Sequence, residues 1–139
     1  HLSRLITAGM VERRYGRIVY TSSTAGDVAE YAGSAYTAAK HGLIGLAKAV
    51  AQDCGEFNVT SNAVLPGWVK TSMADRSAQA EADLQGTTME EVWQQRAALY
   101  RPNRVATPNE VAEMIAFLVS EEASGVSAQA IKVALGAQS

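Results

Sequence analysis

The sequence predicts a layered α/β fold on a parallel sheet, and three observations carry that prediction. Short β-branched runs alternate with helical stripes in the order α-β-α-β-(α)-α-β, the pattern of parallel strands joined by helical crossovers. Gly and Pro punctuate the segment ends, at Gly16, Gly55 and Pro66-Gly67. The balance is that of one globular domain: of 139 residues 47% are hydrophobic and 19% charged, with a net charge of −2.

Taken in order, Leu2, Leu5, Ile6, Gly9 and Met10 recur at i, i+3, i+4, i+7 and i+8, the apolar stripe of an amphipathic helix over about 2–14. The chain enters this pattern at His1 without an N-cap, so its start is read as a cut edge. Arg17 to Ser22 reads as a buried strand and Ser23 to Gly33 as a loop at its carboxyl end. A long helix follows to Cys54, with Leu43, Leu46, Ala47, Val50 and Cys54 expected on its buried face. Val59 to Leu65 is the next strand. Residues 67 to 104 form the least regular stretch, polar and acidic, with one helix near Glu90–Leu99. Thr107-Pro108-Asn109-Glu110 is a helix start, with Thr as N-cap, Pro at N1 and Glu at N3. Val111, Met114, Ile115, Leu118 and Val119 supply that helix's stripe, and Ala130 to Leu135 is a last strand. Three strands with this much helix read as one side of a larger sheet, because a parallel sheet needs both faces covered.

Composition excludes several functions. No apolar run is long enough to span a bilayer. The near-neutral charge gives no electrostatic footprint for nucleic acid or acidic lipid. A lone Cys54 and only two histidines leave no disulfide framework and no metal site of Cys or His. A cytoplasmic location is expected, since the start lacks the parts of a secretory signal.

Ser23, Tyr36 and Lys40 form the candidate catalytic constellation. Tyr36 and Lys40 are four apart at the start of a helix and share a face. Ser23 lies just beyond a strand end, where open α/β sheets bind ligands. A free tyrosine ionises near pH ~10, and an ammonium beside a phenol favours the phenolate. A tuned phenol can exchange a proton with an alcohol or carbonyl oxygen, worth about 10²–10⁴-fold in rate. A serine hydroxyl can steady that oxygen. Spacing alone equally describes a half-buried tyrosine beside a solvated lysine.

Context is more specific. The run from Gly16 to Gly26 (GRIVYTSSTAG) leads to Tyr36-Thr37-Ala38-Ala39-Lys40-His41-Gly42. Asn62 to Thr71 (NAVLPGWVKT) and Thr107-Pro108-Asn109-Glu110-Val111-Ala112 follow. In that order and separation the chain resembles the carboxyl-terminal half of short-chain dehydrogenases/reductases, notably 3-oxoacyl-carrier-protein reductases and 3-hydroxyacid or polyol dehydrogenases. The resemblance covers essentially the whole sequence as a single domain, 1–139. It implies a Rossmann-like three-layer sandwich with a parallel sheet, of which only the carboxyl-terminal half is present.

The resemblance implies roles by position. Tyr36 matches the acid/base, and Lys40 the residue that supports it and holds the nicotinamide ribose hydroxyls. Ser23, rather than Ser22, matches the substrate-orienting serine. Pro66 and Gly67 match the turn beside the nicotinamide, and Val69 and Thr71 the positions that hold its carboxamide. The cofactor would be NAD or NADP, and the substrate a small carbonyl or secondary alcohol. The family's glycine-rich fingerprint is absent, and its catalytic asparagine would fall upstream of His1, so the chain alone is expected to be inactive. Homodimers or homotetramers are expected through helices 2–14 and 36–54.

Residues 73–104 match the family's variable substrate loop and lid, and disorder is expected around Ala74–Thr88 because such lids often order only on binding. Trp68 and Met73, with Met89, Trp93 and Tyr100, would either line an apolar cleft or staple this lid down. Ser127-Ala128-Gln129 stands where the family has a glycine, and Val133-Ala134-Leu135-Gly136 replaces its usual ending. A rearranged closing turn is expected, because a left-handed backbone strains Ala. Two other functions compete with the oxidoreductase: a truncated, non-catalytic dimerising scaffold, and a family isomerase or dehydratase.

Overall fold

In a computed structural model of the chain, residues 2–29 and 33–137 are described. The order is α1 (Leu2–Glu12), β1 (Gly16–Thr21), α2 (Ser34–Cys54), β2 (Val59–Pro66), α3 (Ser72–Gln85), α4 (Met89–Ala98), α5 (Pro108–Val119) and β3 (Ala130–Val133). The strands form one parallel sheet in the order β1-β2-β3, with Gly16 opposite Val59 and Ala63 opposite Ala130. The predicted α/β architecture is therefore present. The expected loop reaches residues 30–32 and the expected helical start reaches residue 1, and both lie outside the described residues.

Strand β2 is central and buried from Val59 to Leu65. Ile18 and Val59 of the sheet pack with Val50 and Cys54 of α2, and Met10 and Val11 of α1 cover them. Ala63 and Leu65 pack on Ala47, with Ile44 beside them. Helix α5 lies against all three strands and joins neither cluster, which makes it the layer on the other face. Leu118 is its fully buried anchor, whereas Val119, expected in its stripe, is exposed. A similar rotation occurs in α2: Leu46 faces outward, and the buried line is Ala47, Val50, Ala51 and Cys54. Small side chains take the contact because they let the α2 backbone approach the sheet closely.

The stretch expected to be least regular is a helical hairpin: α4 is the expected helix, whereas α3 stands where disorder is expected around Ala74–Thr88. Thr71 caps α3, its Oγ1 accepting from the Ala74 amide at 3.3 Å. Ala74, Ala78 and Ala82 recur every fourth residue and pack against Val92 and Trp93 of α4. An alanine stripe among polar residues carries too little hydrophobic signal to stand out in the sequence, but facing helices can pack closely on it. Helix α4 lies within one residue of the expected helix at Glu90–Leu99, and its N-cap is Thr88, whose capping box with Glu91 is complete. Helix α5 has the expected Thr107–Glu110 box and Pro108 in its first turn.

The closing turn also departs from expectation. Ala128 keeps the left-handed backbone, at φ 60°, and Leu135 does the same at φ 50°. Such a conformation costs a non-glycine residue about 1–2 kcal/mol. The neighbouring bonds hold it: the Ala128 amide donates to the Ser61 carbonyl at 2.8 Å, and the buried Asn62 clamps both sides. Asn62 Nδ2 donates to the Val126 carbonyl at 2.8 Å, and its Oδ1 accepts from the Gln129 amide at 3.0 Å. Strand β3 accordingly ends at Val133 rather than at Leu135.

Candidate active site

The carboxyl ends of β1 and β2 open onto a cleft of about 690 Å³, within the usual range of about 300–1,000 Å³ for small-molecule sites. Ser23 leaves β1 in an extended conformation and caps the short turn Thr24–Gly26, with its Oγ accepting from the Ala25 amide at 3.2 Å. That turn presses on α2. A Cβ at Gly26 would lie 2.5 Å from Ser22 Oγ and 2.9 Å from the Lys40 carbonyl oxygen, so only glycine fits. Two adjacent serines thereby separate: Ser23 reaches the cleft wall, while Ser22 is buried and donates to the Lys40 carbonyl at 2.8 Å.

Tyr36, in the first turn of α2, is 47% exposed and lines the cleft. Lys40 lies one turn on, its Nζ 5.4 Å from the centre of the Tyr36 ring and donating to the Thr21 carbonyl at 3.1 Å. The strand end and the helix thus hold the lysine against the tyrosine, and Lys40 itself is not on the cleft wall.

The opposite wall is the segment after β2. Gly67, Trp68, Val69, Thr71 and Met73 face the cleft, whereas Pro66 ends the strand behind it. The segment is pinned on both sides. The Gly67 amide donates to the Val133 carbonyl at 3.2 Å, and the Ala106 amide donates to the Trp68 carbonyl at 3.0 Å. Tyr100 closes it: the Trp68 amide donates to the Tyr100 hydroxyl at 2.7 Å. Of the aromatic and Met residues expected either to line the cleft or to staple the lid, Trp68, Met73 and Tyr100 line it, while Met89 and Trp93 pack inside the α3–α4 hairpin.

A buried arginine that sequence reasoning missed holds this wall together. Arg96 of α4 stacks its guanidinium 3.6 Å from the centre of the Trp68 ring. It donates to the Ala74 carbonyl at 3.2 Å, Ser77 Oγ at 3.2 Å and Glu81 Oε2 at 2.8 Å. Lys70 pairs with Asp75 at 2.8 Å and, together with the Trp93 indole N–H, holds that carboxyl below the usual carboxylate range. Leu99 and Arg101 also reach the cleft and were not singled out. Nothing in their local pattern marks them, because the turn after α4 is what carries them there.

Chemically, the cleft offers a phenol, a serine hydroxyl, and an apolar wall of Trp68, Val69 and Met73 opposite them.

Comparison with known proteins agrees with this geometry. Residues 1–138 match the family described as enoyl-(acyl carrier protein) reductase. The chain is 37% identical over 127 residues to the D-beta-hydroxybutyrate dehydrogenase of Cupriavidus necator, covering 91% of this chain and 49% of that protein. Among solved structures, a variant of actinorhodin polyketide ketoreductase with NADPH superposes with a TM-score of 0.87 at 39% identity, over 92% of this chain and 49% of that one. An NAD⁺-bound xylitol dehydrogenase superposes with a TM-score of 0.83 at 28% identity, over 91% and 51%. The chain spans about half the length of the curated relatives it matches.

Proposed function

The chain belongs to the short-chain dehydrogenase/reductase family of oxidoreductases, and from that premise we propose that its protein transfers a hydride between a nicotinamide cofactor, NAD or NADP, and a carbonyl or secondary alcohol. The observation that supports this reading is that Ser23 and Tyr36 line the same cleft, with Lys40 Nζ 5.4 Å from the centre of the Tyr36 ring. A nicotinamide dinucleotide, when bound, supplies or accepts the hydride.

In the reducing direction, Tyr36 gives its hydroxyl proton to the substrate oxygen as the carbonyl carbon gains the hydride. The phenolate is then reprotonated from solvent, and the reverse sequence oxidises an alcohol. Ser23 donates to the same oxygen and steadies its developing charge. Lys40 keeps a positive charge beside the phenolate that forms. Gly67, Val69 and Thr71 would hold the nicotinamide and its carboxamide, with Pro66 setting the turn behind them. Trp68 and Met73 would meet the substrate's apolar part. We read the α3–α4 hairpin as the substrate lid, within a single domain over 1–139. The other part of the cofactor site belongs to the portion of the relatives that this chain does not span, so the residues here are not expected to turn over substrate alone.

In the full-length protein, Tyr36→Phe should lower kcat by at least about 10²-fold while leaving nucleotide affinity close to that of the parent. Steady-state kinetics with a fluorescence titration of the reduced nucleotide measures both. Undiminished turnover in the variant removes Tyr36 from the mechanism. A second reading, a scaffold that only pairs copies, draws on the exposed apolar face of α1, where Leu2 and Leu5 are 70% and 62% exposed. It predicts no nucleotide-dependent chemistry at all.

A further inference from the structure

We propose that Arg101 selects a substrate bearing an anionic group, a carboxylate or phosphate, at the end remote from the reacting carbonyl. This rests on the oxidoreductase reading of the cleft and names the substrate class it takes.

Arg101 is the one charged residue on the cleft wall among the described residues. Its neighbours in the chain show why its freedom matters. Arg96 is committed to Ala74, Ser77 and Glu81. Arg104 is committed to Glu110 through two bonds, of 2.9 and 2.7 Å. Arg101, exposed between them, makes no ion pair or side-chain hydrogen bond among the described residues.

Its position is nevertheless fixed. Tyr100, immediately before it, is buried and tied to the Trp68 amide, and the Asn103 amide donates to the Tyr100 carbonyl at 2.9 Å. Arg101 therefore lines the cleft from an anchored turn rather than from a free loop. Its planar fork of donors matches a carboxylate or phosphate better than a neutral oxygen. Leu99 and Met73, both largely exposed, line the same cleft and offer the middle of the ligand apolar contact. The ligand class is an oxo or hydroxy acid, or a phosphorylated equivalent, with a short apolar middle. The diphosphate of the cofactor is the other source of an anion here, and the test separates the two.

In the full-length protein, kcat/KM is measured for methyl ketones ending in a carboxylate, from 3-oxobutanoate to 6-oxoheptanoate, and for their methyl esters. Wild type should prefer at least one acid over its ester, and Arg101→Gln should lower that acid-to-ester ratio about 10- to 100-fold. Arg101→Lys should recover part of it. An unchanged ratio, or a loss confined to the KM of the nucleotide, overturns the proposal; the latter assigns the cation to the cofactor.

A binding arm keeps this apart from the catalytic reading. Trp68 lies on the cleft wall, so tryptophan fluorescence of Tyr36→Phe reports titration with the same acids and esters. Acid-selective binding that Arg101→Gln abolishes, in a protein that reduces no ketone, upholds the anion site and overturns the oxidoreductase reading. Ketone reduction without any acid preference does the opposite.

Discussion

At Gly67 one hydrogen atom decides how closely the turn after α4 approaches the end of β2. A Cβ there would stand 2.6 Å from the Tyr100 hydroxyl and 3.2 Å from Ala134 Cβ. Tyr100 needs that closeness because its hydroxyl accepts the Trp68 amide. Gly67→Ala should therefore cost about 1–3 kcal/mol through overpacking. Tyr100→Phe should cost about 1–3 kcal/mol through the unsatisfied amide. Together they should cost about 1 kcal/mol less than their sum, since removing the hydroxyl relieves the clash. Urea denaturation of the four proteins gives the cycle, and strict additivity shows that the two residues do not share this contact. The same logic of close approach acts at Gly26, where the serine turn meets α2 and sets which serine faces the cleft.

Helices α3 and α4 are joined through charge and aromatic surface as much as through their alanines. The buried Arg96 cation sits between Trp68 and Trp93, so the hairpin is fastened to the same residue that lines the cleft. Beyond it, α5 begins at a charged cap. Glu110 accepts from Arg104 and from the Thr107 amide, and these bonds hold its carboxyl down to about 2. A carboxyl lowered on folding stabilises fully above its unfolded value, near ~4.3, and that contribution fades as pH falls toward about 2. Wild type should lose more of its denaturation midpoint than Glu110→Gln between pH 5 and pH 2. Parallel pH curves for the two would show that the cap contributes nothing through this charge. Arg104 lies between the cleft turn and α5, so the cap also positions the segment that carries Arg101.

Over the whole molecule, the apolar surface is unevenly covered. The faces of β2 are buried, yet Leu2, Leu5 and Ile6 of α1 point outward, and Leu46 of α2 is exposed as well. Among the described residues, β1 is an edge strand with its outer side unpaired. Unpaired edges and clustered apolar side chains favour association. We propose that α1 and α2 pair two copies of the protein. Leu5→Glu in the full-length protein should shift the sedimentation coefficient toward the monomer without changing the far-ultraviolet circular dichroism. An unchanged sedimentation coefficient rules this face out as the contact. No helix among the described residues is long and apolar enough to cross a membrane.

By itself the sequence determined the order of the strands and of every helix but α3, the N-cap of α5, and the placement of Ser23 and Tyr36 at the ends of neighbouring elements. Those features are local: β-branched runs, a Thr-x-x-Glu box and a four-residue helical spacing all act within a few residues. Only the tertiary structure decided what depends on a partner far along the chain. The alanine stripe of α3 has meaning only against Val92 and Trp93. The left-handed Ala128 is held by Ser61 and Asn62, residues of another strand. Arg96 and Arg101 are alike as letters, and their difference arises because one is buried among acceptors while the other is carried by an anchored turn to an uncharged cleft. Burial and pairing are properties of the assembled fold, which a single local window of sequence does not contain.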